Sequence, residues 1–214
     1  MPYVRHTLVT FDSEKRDAMV SRMTTVLDRL QGISALRAMR VAFDTAQGAD
    51  NRVVASAFYD DKQSMDAADE RVNEALSEMM EFIVGEPIVR EGEIIWAFDA
   101  DGGADKPIIP GYIRHTVVSI DLSKLDGLLA YADSTVGTLK SISGLRRIRF
   151  AAVKSTPPYK SEDRLQVTSG FDSKEAADAA SDQTASIWAG MAEFLADDPE
   201  RRIVAGDLIY AYSR

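Results

Sequence analysis

Two histidines, His6 and His115, occupy the same place in two near-copies of one segment: YVRHTLVTFD at 3–12 and YIRHTVVSID at 112–121 share six identities in ten. Imidazole titrates near neutral pH, which suits it to general acid–base work and to metal ligation, so His6 and His115 are the candidate catalytic residues. A second matched pair, Arg40 and Arg149, offers planar, permanently charged forks of donors that favour a carboxylate, phosphate or phenolate. Trp96 and Tyr210 correspond near the ends of the two copies, where a flat ligand could stack on them. These four are the candidate substrate-binding residues. Each residue also has a plainer reading: a histidine copied for structural reasons, an arginine paired with one of the 34 Asp and Glu residues, an aromatic in the core.

Several chemistries lack their residues. With no cysteine, and no HExxH or His-x-His spacing, the chain has no recognisable metal-ligand set, and no metal is expected. It has no Walker-type or GxGxxG loop, since Asp101-Gly102-Gly103 falls in a linker, and no GxSxG serine elbow. No nucleotide or other organic cofactor is therefore expected.

The elements that must position the candidates alternate in period. Residues 3–11 read as a strand ending at Asp12-Ser13. From Ser13 to Gln31, Met19, Met23, Val26, Leu27 and Leu30 recur at helical spacing, with Ser13 placed to cap the start and Gly32 to end the helix. Strands follow at 35–43 and 52–59, separated by the turn-rich loop 44–51. A second amphipathic helix spans 62–83, closed off by Gly85 and Pro87, and a last strand lies around Glu93–Phe98. The order is βαββαβ.

This order occurs twice. An offset of 109 carries Tyr3 to Tyr112, Arg37 to Arg146 and Arg40 to Arg149; it becomes 112 after the loop 154–163, carrying Tyr59-Asp60 to Phe171-Asp172, and then 114, pairing Trp96 with Tyr210 and Phe98 with Tyr212. The changes fall in loops, as a duplication predicts. The expected organisation is a first repeat at 1–99, a linker at 100–111 and a second repeat at 112–214. Each repeat is an α+β, ferredoxin-like unit, whose four antiparallel strands carry both helices on one face. The strands are apolar or small on both sides, so the other face also needs cover. Two such sheets facing each other make an eight-stranded, pseudo-dimeric α/β barrel within one chain, able to hold one small ligand. Alternation puts His6, Thr10, His115 and Ser119 on the strand face away from the helices, together with Arg40 and Arg149 opposite the apolar Met39, Val41 and Phe43.

Net charge of −9 and a pI near 4.8 disfavour a nucleic-acid partner. No run of about 18 apolar residues suggests a membrane span, and no leader pattern opens the chain, so a cytoplasmic location without membrane association is expected. Internal pairing of the repeats leaves further homo-oligomerisation open.

With its two βαββαβ units, Gly32-Ile33-Ser34 leading into strand two and the aromatic-acidic ends Tyr59-Asp60 and Phe171-Asp172, the chain resembles the dimeric α/β-barrel superfamily, and within it the antibiotic-biosynthesis-monooxygenase-type domains. The resemblance covers both repeats. It implies a fused pair and oxygenation of a flat aromatic or quinol-like molecule without metal or organic cofactor. RHTLVTF also resembles the first strand of the stress-responsive barrel proteins, which implies a ligand-binding or scaffold role with no reaction. Some similar proteins degrade haem with a His and a Trp, but no segment matches them closely enough to carry either residue over.

Overall fold

The computed structural model describes residues 1–46, 51–101, 109–155, 164–196 and 201–214. The central parts of three expected connections, 47–50, 102–108 and 156–163, lie outside the described residues. Eight strands form: β1 (Tyr3–Phe11), β2 (Leu36–Phe43), β3 (Arg52–Tyr59), β4 (Ile83–Asp99), β5 (Tyr112–Ser119), β6 (Leu145–Ser155), β7 (Arg164–Phe171) and β8 (Arg202–Ser213). They hydrogen-bond in the order β1-β3-β2-β8-β5-β7-β6-β4 as a closed antiparallel barrel, the expected α+β architecture. Among the described residues no helix is long and apolar enough to cross a membrane.

The chain divides into two compact units. The first holds Met1–Glu93 and Leu208–Arg214, and the second holds Ile94–Lys154 and the described residues between 164 and Asp207. β4 and β8 each contribute to both, so the last strand of each repeat ends in the unit built mainly by the other.

In the first unit α1 (Arg16–Leu30) and α2 (Lys62–Ser77) cover one sheet face. Met19, Met23, Val26 and Leu30 of α1 and Met65, Ala68 and Ala75 of α2 are buried, in a core with Phe11, Met39, Val41, Val53 and Tyr59. The ends of these elements differ from the sequence expectation. Asp12, rather than Ser13, caps the first helical segment: its carboxylate accepts from the Glu14 amide at 3.1 Å, and Ser13 opens a short 3-10 turn ahead of α1. α2 stops at Ser77, and Ile83, expected within it, already belongs to β4. Gly85 and Pro87 therefore sit in a strand rather than terminating a helix. β4 pairs with β1 through an irregularity, Leu8 facing Ile88 but Thr10 facing Val84. Gly85 takes a φ of +75° there, and a bulge tolerates the amide that Pro87 lacks.

The second unit replaces each single helix with two short ones: α3 (Leu125–Ser134) and α4 (Val136–Ser141), then α5 (Lys174–Ala179) and α6 (Ser181–Met191). At the first break the buried Thr135 hydroxyl donates to the Ala132 carbonyl at 2.7 Å, a local bond of the kind that competes with the regular ladder. Its core gathers Leu128, Leu139, Phe150, Leu165, Val167, Phe171 and Met191.

Candidate functional site

The registers of β1, β2 and β3 set three polar residues in one row of the first unit. His6 faces Ser56, and Ser56 faces Arg40. Directly paired residues project from the same sheet face, so the row lies opposite Arg5, Thr7, Val9 and Phe11, which point toward the helices. His6 Nδ1 is hydrogen-bonded to Ser56 Oγ at 2.7 Å, and both residues are buried. The second unit repeats the row as His115, Thr168 and Arg149, with His115 Nδ1 at 2.9 Å from Thr168 Oγ1 and 3.2 Å from Gln166 Nε2. The two arginines also act alike. Arg40 donates to the Met39 and Tyr212 carbonyls and the Ser213 hydroxyl, and Arg149 donates to the Ile148 and Phe98 carbonyls and the Asp99 carboxylate. Each guanidinium holds the end of a last strand, and Phe98 and Tyr212 correspond in the repeat.

Trp96 and Tyr210 fasten strands to helices. The Trp96 indole lies 4.9 Å from the Phe150 ring and donates to Asp133 at 2.8 Å. The Tyr210 hydroxyl donates to Asp28 at 3.0 Å and accepts from Gln31 Nε2 at 2.7 Å. Among the described residues no three His, Asp or Glu side chains converge as a metal site.

A space for a ligand lies on the other face. Between the sheet and the two helices of the first unit lies a cavity of about 130 Å³. Its wall is apolar apart from Arg5, Thr7 and Tyr59, and it includes Met19, Met23, Met39 and Met79. Tyr59 is 1% exposed, and its hydroxyl has no hydrogen-bond partner among the described residues. Burial pushes that phenol up to about 12, with Arg5 opposing the rise and Asp69 and Glu91 adding to it. Arg5 itself lies between two carboxylates, 2.6 Å from Asp69 and 2.6 Å from Glu91. Burial works against its charge, but the two acids outweigh burial and raise its pKa.

No protein-family model matches the chain, nor does any curated protein. Solved structures do. A candidate monooxygenase from Fusobacterium nucleatum subsp. nucleatum ATCC 25586 superposes with a TM-score of 0.73 at 10% identity, covering 100% of this chain and 94% of that one. An anthrone oxidase-like protein gives 0.69 at 16% identity over 99% and 92%. Chlorite dismutase from Candidatus Nitrospira defluvii gives 0.59 at 8% identity over 97% and 90%. The fold is the dimeric α/β barrel, doubled within one polypeptide. At these identities the likeness carries architecture only.

Within this dimeric α/β barrel, the structure sets His6 and Arg40 in one row, and His115 and Arg149 in another, each pair separated by a hydroxyl residue on the intervening strand. None of the six sequence-derived candidates lines the cavity. Ser56 and Thr168 correspond at the offset of 112, so matched hydroxyls between the matched His and Arg were readable from the repeat. Tyr59 was visible as the end of strand three, and Arg5 adjoins His6. Their meeting with Asp69 and Glu91 depends on partners 64 and 86 positions from Arg5, which no local pattern encodes.

Proposed function

We propose that this protein binds a small, flat, mostly apolar molecule in the cavity of its first unit. The observation that carries the reading is an apolar cavity holding a buried tyrosine hydroxyl with no partner among the described residues. A desolvated donor without an acceptor costs about 1–3 kcal/mol, and a ligand oxygen would remove that cost. Methionine thioethers pack adaptably against aromatic faces, which favours a ring as the occupant. In this reading His6 and Arg40 act from the opposite face of the same sheet as positioning residues, His115 and Arg149 keep the matching row of the second unit, and Trp96 and Tyr210 hold strand ends against helices.

A second reading adds chemistry, and likeness to a candidate monooxygenase and an anthrone oxidase-like protein favours it. A phenol bound in the cavity would react with dioxygen at a ring C–H, giving a quinone and water without metal or organic cofactor. An oxygen electrode tests it with phenol and hydroquinone in chelator-treated buffer. Oxygen uptake that stops when Met23→Trp fills the cavity, and that falls in the His6→Ala/His115→Ala double variant, is the expected result. No uptake with any single-ring phenol would remove the oxygenase and leave the binding protein.

A further inference from the structure

The cavity's dimensions and electrostatics say more about what it holds. A dry cavity of about 150 Å³ accommodates benzene, so about 130 Å³ in the first unit sets the scale at a single ring. The one cation in its wall, Arg5, is paired with two carboxylates outside the wall, so its charge is already met and the site offers an anion little. Tyr59 keeps its proton and presents a donor.

The second unit has lost this arrangement. The repeat offsets place Phe171 at the position of Tyr59, Ser181 at Asp69 and Ala205 at Glu91, and only Arg114 survives, for Arg5. Strand pairing supports the last match: Arg5 faces Glu91 as Arg114 faces Ala205. Bulky side chains pack between two of the second unit's helical segments. The Tyr131 ring sits where Gly190 has no side chain, with its hydroxyl donating to the Ile187 carbonyl at 3.0 Å, and Phe194 sits against Gly127. A Cβ on Gly190 would meet the Tyr131 hydroxyl at 2.1 Å.

We propose that the two repeats have divided their labour: the first unit holds the ligand, a neutral single-ring molecule whose oxygen accepts a hydrogen bond from Tyr59, while the second, without counterparts of Tyr59, Asp69 and Glu91, does not. This rests on the reading of the first-unit cavity as a ligand site. Isothermal titration of the whole chain with benzaldehyde, toluene and benzoate tests it, repeated with Tyr59→Phe. The expected result is one benzaldehyde per chain, weaker toluene binding and no benzoate binding. Tyr59→Phe should lower benzaldehyde affinity roughly three- to tenfold, the scale of one net hydrogen bond, while leaving toluene unchanged. Equal binding of benzaldehyde and toluene, unaffected by Tyr59→Phe, would overturn the role of Tyr59 while leaving the cavity as a site. Preference for benzoate, or two molecules per chain, would also overturn the proposal without touching the cavity reading. Failure of all three to bind would overturn both. Retained toluene binding shows that the variant is folded, and the ligand series on the unaltered chain decides the matter even if it is not.

Discussion

Tyr59 is the residue on which the site turns, and its environment makes it a sensor of alkaline pH. In the unfolded chain a tyrosine ionises near pH 10, whereas in the folded protein burial holds Tyr59 protonated to about 12. Below pH 10 both states carry a neutral phenol, so its contribution to stability is fully present. Between pH 10 and 12 only the unfolded chain gains by ionising, and stability falls by roughly 2–3 kcal/mol from this group. Urea denaturation of the native chain and of Tyr59→Phe at pH 8 and pH 11.5 should therefore show the native chain losing more stability than the variant. Parallel losses would show that the phenol is not held in its neutral form. Tyr3 and Tyr210, whose hydroxyls are also pushed up by burial, are common to both proteins and cancel in the difference. At this scale the sequence was half legible. Duplication exposed His6, His115, Arg40 and Arg149 as matched pairs, and alternation placed them on the correct strand face. It could not show that the two arginines spend donors on strand-end carbonyls, because those partners come from β4 and β8, far along the chain.

At the scale of elements, periodicity and the repeat located every strand and the helical regions; the errors fell at element ends and at the breaks that divide each helix of the second unit in two. Helix α2 was overextended because Gly85 and Pro87 look like terminators, whereas a bulge against β1 uses the same two residues inside a strand. The repeated surface pairs Arg37–Asp60 and Arg146–Asp172 tie β2 to the end of β3 and β6 to the end of β7. Being exposed, each contributes about 0–1 kcal/mol. Two glycines in the second unit make opposite predictions. Gly144 leads into β6 with a φ of +76°, and a Cβ there would lie 2.7 Å from the Ala176 side chain. Gly144→Ala should cost about 1–3 kcal/mol. Gly137, in α4, has nothing within 4 Å of an added Cβ, so Gly137→Ala should stabilise by about 0.5–1 kcal/mol. Shifts of the urea midpoint in opposite directions verify the pair, and equal shifts would refute the local geometry.

For the whole molecule, the doubled βαββαβ order was sufficient to specify an eight-stranded barrel, because strands apolar on both sides demand cover on both faces. The seat of function was less legible. Matched pairs between repeats drew attention to what the two halves share, while the proposed ligand site rests on what they do not: Tyr59, Asp69 and Glu91 against Phe171, Ser181 and Ala205. The most direct measurement is a crystal structure of the protein soaked with benzaldehyde. One molecule between the sheet and the helices of the first unit, its oxygen within hydrogen-bond distance of Tyr59 Oη, is the predicted result. An empty first-unit cavity, or the aldehyde bound only elsewhere, would contradict it.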